Sequence, residues 1–104
     1  MKKTTEQMQA EFITLMSENG FTPNGETLYD GRPVYSRVWR KETEVVWYGK
    51  RESSLEIKVY ECSGYPIITI LNNGRPDNHR RDYSSPKRAI NAMRDIVTYA
   101  GYAF

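Results

Sequence analysis

The sequence has 104 residues, 38% of them hydrophobic and 27% charged, and a formal net charge of +2. A chain of this length supports one modest core without staples and leaves no room for a second. The single cysteine, Cys62, excludes an intramolecular disulfide framework and points to a reducing cytoplasm. No run is long and apolar enough to span a bilayer, and Met1-Lys2-Lys3 leads into Glu6 and Glu11 instead of an apolar signal core.

The first predicted element is a helix from about Thr5 to Asn19. Thr4 and Gln7 have capping-box spacing, and Met8, Phe12, Leu15 and Met16 recur at steps of three or four, with Ile13 widening the stripe. Gly20 after Asn19 is a C′ glycine, with Phe21 as the apolar contact past the cap. Phe21 to Gly31 reads as a loop, with a short extended stretch near Thr27 to Tyr29. From Pro33 the period changes to two, with Val34, Ser36 and Val38 alternating against Tyr35, Arg37 and Trp39.

Arg40 to Thr43 reads as a polar turn, followed by a strand over Glu44 to Lys50. Ser54 to Glu61 alternates Leu55, Ile57 and Val59 with Glu56, Lys58 and Tyr60, the pattern of a half-buried antiparallel strand. After a Ser63-Gly64 turn, Tyr65 to Leu71 is apolar on both faces. Asn73-Gly74 is a hairpin signal, limited by Pro76, and His79 to Tyr83 reads as a short last strand. Ser85 then Pro86 starts a second helix, whose face is Ala89, Ile90, Met93, Ile96, Val97 and Ala100, and Gly101 ends it near residue 100. The aromatic tail Tyr102-Ala103-Phe104 is expected to fold back. The fold class is therefore α+β, a single domain spanning 1–104. It has an antiparallel four- to five-stranded meander sheet, one face of which is covered by an N-terminal and a C-terminal helix.

Most enzyme chemistries lack their residues. One Cys and one His cannot make a structural zinc site, and no calcium-loop ladder or phosphate-binding glycine motif occurs. No metal or cofactor is expected. A nucleophilic triad would have to crowd His79, Asp77 or Asp82 and Ser84 or Ser85 into one turn-rich segment, whereas triads converge from separate elements. Glu56-Ile57-Lys58 is an E-x-K triplet on a strand, both polar side chains on one face. With Glu44 it resembles the acidic core of the PD-(D/E)xK nucleases, which would imply a two-carboxylate magnesium site. Alternating charge on a solvated strand accounts for the same letters, and the chain is expected not to be an enzyme.

Basic residues concentrate in one region. Between Leu71 and Arg94 lie Arg75, Arg80, Arg81, Lys87, Arg88 and Arg94 against only Asp77 and Asp82. A basic turn leading into a helix N-terminus suits a phosphate, so Arg75, Arg80, Arg81, Lys87 and Arg88 are the candidate nucleic-acid or anion-binding residues. This stretch resembles the three-strand-plus-helix unit of small DNA-binding domains, and the end of a double-stranded-RNA-binding domain, where a basic helix start would contact phosphates.

Aromatic residues concentrate between Tyr29 and Tyr65. Tyr35, Arg37 and Trp39 share one strand face, assigned here as an exposed partner-binding row opposite the core side. Tyr, Trp and Arg are the types enriched in interface hot spots, although core packing is the default explanation for Trp39 and Trp47 in a domain this small. The opening Thr4-Thr5-Glu6-Gln7-Met8-Gln9-Ala10-Glu11-Phe12 is similar to the starts of small accessory proteins of temperate tailed phages. That resemblance implies a bacterial cytoplasm and a binding or modulating role. The expected function is a binding protein acting on a host or phage protein, without a membrane. Nucleic-acid binding through the basic segment is the alternative.

Overall fold

The computed structural model describes residues 4–47, 49–77 and 81–104. Helix α1 (Thr5–Glu18) opens on the expected box: the Thr4 hydroxyl accepts from the Gln7 amide at 3.1 Å, and the Gln7 side-chain oxygen accepts from the Thr4 amide at 2.9 Å. It closes at Gly20, whose φ of +81° lets the Gly20 and Phe21 amides reach back to the Ser17 and Met16 carbonyls. This closure delivers Phe21 into the core, fully buried.

Six strands follow: β1 (Thr22–Thr27), β2 (Pro33–Val45), β3 (Gly49–Cys62), β4 (Tyr65–Asn72), β5 (Arg75–Pro76) and β6 (Arg81–Asp82). They form one antiparallel sheet in the order β1-β2-β3-β4, with β5 and β6 both pairing with β4. Helix α2 (Pro86–Tyr99) starts at Ser85, whose hydroxyl accepts from the Arg88 amide at 3.2 Å. It ends as α1 does, with the Gly101 and Tyr102 amides turned back to the Thr98 and Val97 carbonyls. The α+β class, the two helices and the meander sheet are thus present. Among the described residues no helix is long and apolar enough to cross a membrane.

Three strand expectations are corrected. The residues Arg40 to Thr43 are not a turn, and Glu44 to Lys50 is not a separate strand. β2 runs unbroken to Val45, the chain turns at Val46-Trp47, and β3 begins at Gly49. The short strand foreseen near Thr27 to Tyr29 lies earlier, at Thr22–Thr27. Arg, Lys and Glu on both faces look like a turn when no core contact selects a face, yet cross-strand pairing alone carries these residues as a ribbon.

Both helices lie on one face of the sheet. Phe12 and Met16 of α1 and Ala89, Ile90, Met93 and Val97 of α2 pack against Tyr35 and Trp39, Leu55, Ile57 and Val59, and Ile68 and Ile70. The register is Tyr35 opposite Val59, Arg37 opposite Ile57 and Trp39 opposite Leu55. Directly paired residues point the same way, so Tyr35, Arg37 and Trp39 belong to the helix-covered face. This corrects their assignment to an exposed row: Tyr35 and Trp39 are buried in the core. Val38, whose alternation partners suggested burial, is 43% exposed on the open face instead.

Candidate partner-binding surface

Arg37 shows why its row turned inward. A cation amid Ile57, Tyr35 and Trp39 is tolerated because the tail supplies acceptors. Its Nη1 donates to the Asn19 carbonyl and its Nη2 to the Phe104 carbonyl, each at 2.8 Å. The guanidinium also lies over the Trp39 ring at 4.6 Å and the Phe104 ring at 5.1 Å. Trp39 Nε1 donates to the Ala103 carbonyl at 3.0 Å, and the Trp39 and Phe104 rings are 5.8 Å apart. The tail folds back as expected, and the row proposed for a partner is spent on holding it.

The basic segment is dispersed. Arg75 is exposed opposite Asn72, while Arg81 lies opposite Ile68, four residues or about 13 Å along β4. Arg81 faces the helix side and donates from Nη2 to Asp77 at 3.1 Å, beside Asp95 and Tyr99 of α2. Lys87 and Arg88 are exposed at the other end of α2, about 10 Å up its axis from Asp95. Arg80 and His79 lie outside the described residues. Arg75, Arg81, Lys87 and Arg88 are therefore not gathered into one anion clamp.

The E-x-K constellation does not converge either. Glu56 and Lys58 share the open face, but Glu56 sits opposite Val38 and Glu44 lies six residues farther along β2, about 20 Å away. The Lys58 ammonium donates instead to Glu26 at 2.6 Å, and this hydrogen bond raises its pKa above the ordinary lysine value. Among the described residues no group of three His, Cys, Asp or Glu side chains is placed to hold a metal ion.

A half-buried polar knot centred on the buried Glu61 sits at the opposite end of the sheet from the β2–β3 turn. The Glu61 carboxylate accepts from Arg32 at 2.8 Å, from Gln9 at 3.2 Å and from the Gly64 amide at 2.7 Å. Arg32 also donates to Asp30 at 2.8 Å, which holds the Asp30 carboxyl below the usual carboxylate range. A cleft of about 220 Å³ beside this knot is floored by Phe12, Pro33 and Tyr35. Its polar rim, Gln9, Arg32 and Glu61, is bonded to itself, so the knot fastens the α1 and β3 ends of the fold.

The feature that sequence reading missed is an arm. Beyond the Trp39–Leu55 layer, β2 and β3 continue as a two-stranded ribbon from Arg40 opposite Ser54 to Val45 opposite Gly49, about 20 Å long. It gives the molecule extents of 57 × 28 × 24 Å. No residue of the ribbon is buried, and all but Val45, Ser53 and Ser54 are exposed. On its open face Arg40 pairs with Glu52 and Lys50 with Glu42, each at 3.7 Å. On its helix side Lys41 donates to the Ala100 carbonyl and lies 4.5 Å from the Tyr102 ring, bracing the base. At the tip, Val46 is 94% and Trp47 87% exposed. The signal that could have found the arm was the run of alternating opposite charges on both sides of Val45-Val46-Trp47, with the Tyr48-Gly49 turn signal at its end.

Comparisons of the chain with protein-family models, with curated proteins and with solved structures return no match.

Proposed function

We propose that this chain is a protein-binding module that engages a host or phage protein in the bacterial cytoplasm, using the tip of the β2–β3 arm as its anchor. One observation carries the reading: Val46 and Trp47 stand almost fully in water at the end of a long arm. Burying a Trp side chain of about 150–250 Å² is worth roughly 4–6 kcal/mol of gross transfer free energy. Folding uses none of it here. An exposed Trp on a ribbon fits an anchor entering a partner's apolar pocket. The ribbon's four cations, Arg40, Lys41, Lys50 and Arg51, are interspersed with Glu42, Glu44 and Glu52, so it lacks the single-signed charge that phosphate binding rewards.

The test is capture from bacterial lysate by the tagged chain, with and without nuclease treatment. The expected result is a protein retained after nuclease treatment and lost with Val46→Thr/Trp47→Ala. Recovery of nucleic acid alone would reverse the reading, and capture indifferent to the tip substitutions would refute the anchor.

A further inference from the structure

We propose that the outer edge of β2 along the arm pairs with the same edge of a second copy of this chain, joining two arms into an antiparallel four-stranded ribbon. The inference stands on the strand edge and not on the tip. β1 covers β2 only as far as Ser36. From Arg37 to Val45, among the described residues, no strand lies beside the outer side of β2. A row of unsatisfied backbone donors and acceptors of that length is a template for another strand, and a two-stranded ribbon without a partner or a covering layer is marginally stable.

Along the arm the outer edge of β3 is also uncovered, but only over the five residues Gly49 to Ser53, the first a glycine, against nine on β2. The remaining edges of the sheet carry devices that discourage pairing. β1 contains Pro23 and Gly25 and shifts register between Pro23 and Thr27. Beyond β4 the edge strands are two residues long, and β5 ends in Pro76. The β2 edge has no proline, no glycine and no bulge in its pairing to β3 from Arg37 to Val45.

Its charges select the occupant. Residues 40–44 read Arg-Lys-Glu-Thr-Glu. Charges of one sign would repel a second copy, but this order is complementary to itself when reversed. With the two-fold axis through Lys41, Arg40 of each copy faces Glu42 of the other. Shifting the axis to Glu42 sets Arg40 beside Glu44. The first register is favoured because like charges then meet only at Lys41, whose ammonium is already drawn to the Ala100 carbonyl and the Tyr102 ring of its own chain. It also adds a cation where each chain has, among the described residues, only two diagonal ion pairs, Arg40 with Glu52 and Lys50 with Glu42, to offset two facing carboxylates. Glu42 and Glu52 face each other directly across β2 and β3, a destabilising like-charge pair, and Arg40 of the second copy arrives beside it. The strand pairing ends before Val46 and Trp47, at the point where β1 of the other copy begins to cover β2.

Sedimentation equilibrium over a wide concentration range tests this. The wild-type chain is expected to approach twice the 12.1 kDa chain mass as concentration rises. Arg40→Glu alone and Glu42→Arg/Glu44→Arg alone are each expected to remain at one chain mass, and their equimolar mixture to recover the doubled mass. Amide spectra of each variant establish that it is folded. A wild-type chain monomeric throughout, a dimer indifferent to Arg40→Glu, or folded variants that fail to recover the dimer on mixing would each overturn the proposal. Arm amides protected from exchange only after a captured protein is added would assign the edge to that protein instead. Trp47→Ala is expected to leave the doubled mass intact while abolishing capture, so failure of this inference and failure of the anchor reading are separable.

Discussion

The same two strands, β2 and β3, make two unlike structures. Between Tyr35–Val59 and Trp39–Leu55 their helix-side residues are core, and burial against α1, α2 and the tail fixes which face is which. From Arg40–Ser54 to Val45–Gly49 the pairing continues unchanged, yet almost nothing is buried. The backbone ladder is indifferent to the change, so side-chain burial, and not hydrogen bonding, divides the fold's foundation from its projecting arm. The two tryptophans mark the divide: Trp39 is 8% exposed and Trp47 is 87% exposed.

Substituting them should show the largest contrast. Trp39→Ala removes a ring packed on Phe21 and Phe104 and leaves the Ala103 carbonyl without its donor. A loss of about 3–5 kcal/mol in urea unfolding is expected. Trp47→Ala should change stability by no more than about 0.5 kcal/mol. Fluorescence separates them further: the Trp47→Phe chain should emit at short wavelength from buried Trp39, and the Trp39→Phe chain at long wavelength. A stability loss at Trp47 comparable to that at Trp39 would break the division.

Arg37 tests how the covered region is finished. It joins Asn19 at the end of α1 to Phe104 in the tail through two charged hydrogen bonds. Arg37→Ala is expected to cost about 2–3 kcal/mol by removing bonds of a charged donor and leaving half-buried carbonyls without that partner. The shift of the Phe104 ring protons toward unstructured values would show that the tail is released.

Gly64 tests the far end of the same sheet. It has φ +85°, and a Cβ placed there would come within 2.9 Å of Met8 Cβ on α1. Gly64→Ala therefore combines left-handed strain of about 1–2 kcal/mol with a clash against a helix backbone neighbour. Thermal unfolding should report a loss of at least that size. The equivalent change at Gly49, beside the arm's turn, meets no atom within 4 Å. It should cost the backbone term alone.

This division also explains what the sequence made legible. Both helices could be read because capping and periodicity are local, and each ends in the Gly-closed turn that Asn19-Gly20 and Gly101 announce. β3 and β4 could be read because Leu55, Ile57 and Val59 alternate against polar neighbours. β2 misled on its face, since Tyr35, Arg37 and Trp39 contain a cation whose acceptors, the Asn19 and Phe104 carbonyls, come from chain segments far away in sequence. The arm misled on its existence, because no core contact imprints a period on it. Of the candidate site residues, Arg75, Arg81, Lys87 and Arg88 are neighbours in sequence but are separated by the width of a strand ladder and the length of α2.

The smallest expected effects are at the ion pairs, which carry opposite pH signs at two places on the sheet. Asp30 has its pKa lowered, mainly by the Arg32 side-chain hydrogen bond. Its contribution is present above the ordinary aspartate pKa and is lost as pH falls through the lowered folded value. Lys58 has its pKa raised by Glu26, so its contribution is complete below the ordinary lysine pKa and is lost as pH rises through the raised value. Asp30→Asn should therefore flatten only the acid limb of a stability-against-pH curve, and Lys58→Met only the alkaline limb. The arm pairs Arg40–Glu52 and Lys50–Glu42 are longer and about two-thirds exposed on both partners, where solvent screening leaves roughly 0–1 kcal/mol. In the monomer, Glu52→Gln should change stability by no more than about 1 kcal/mol at moderate salt. If urea unfolding showed a larger loss, the ionic ladder of the arm would be stabilising the fold, and the distinction between body and arm would lie in charge as well as burial.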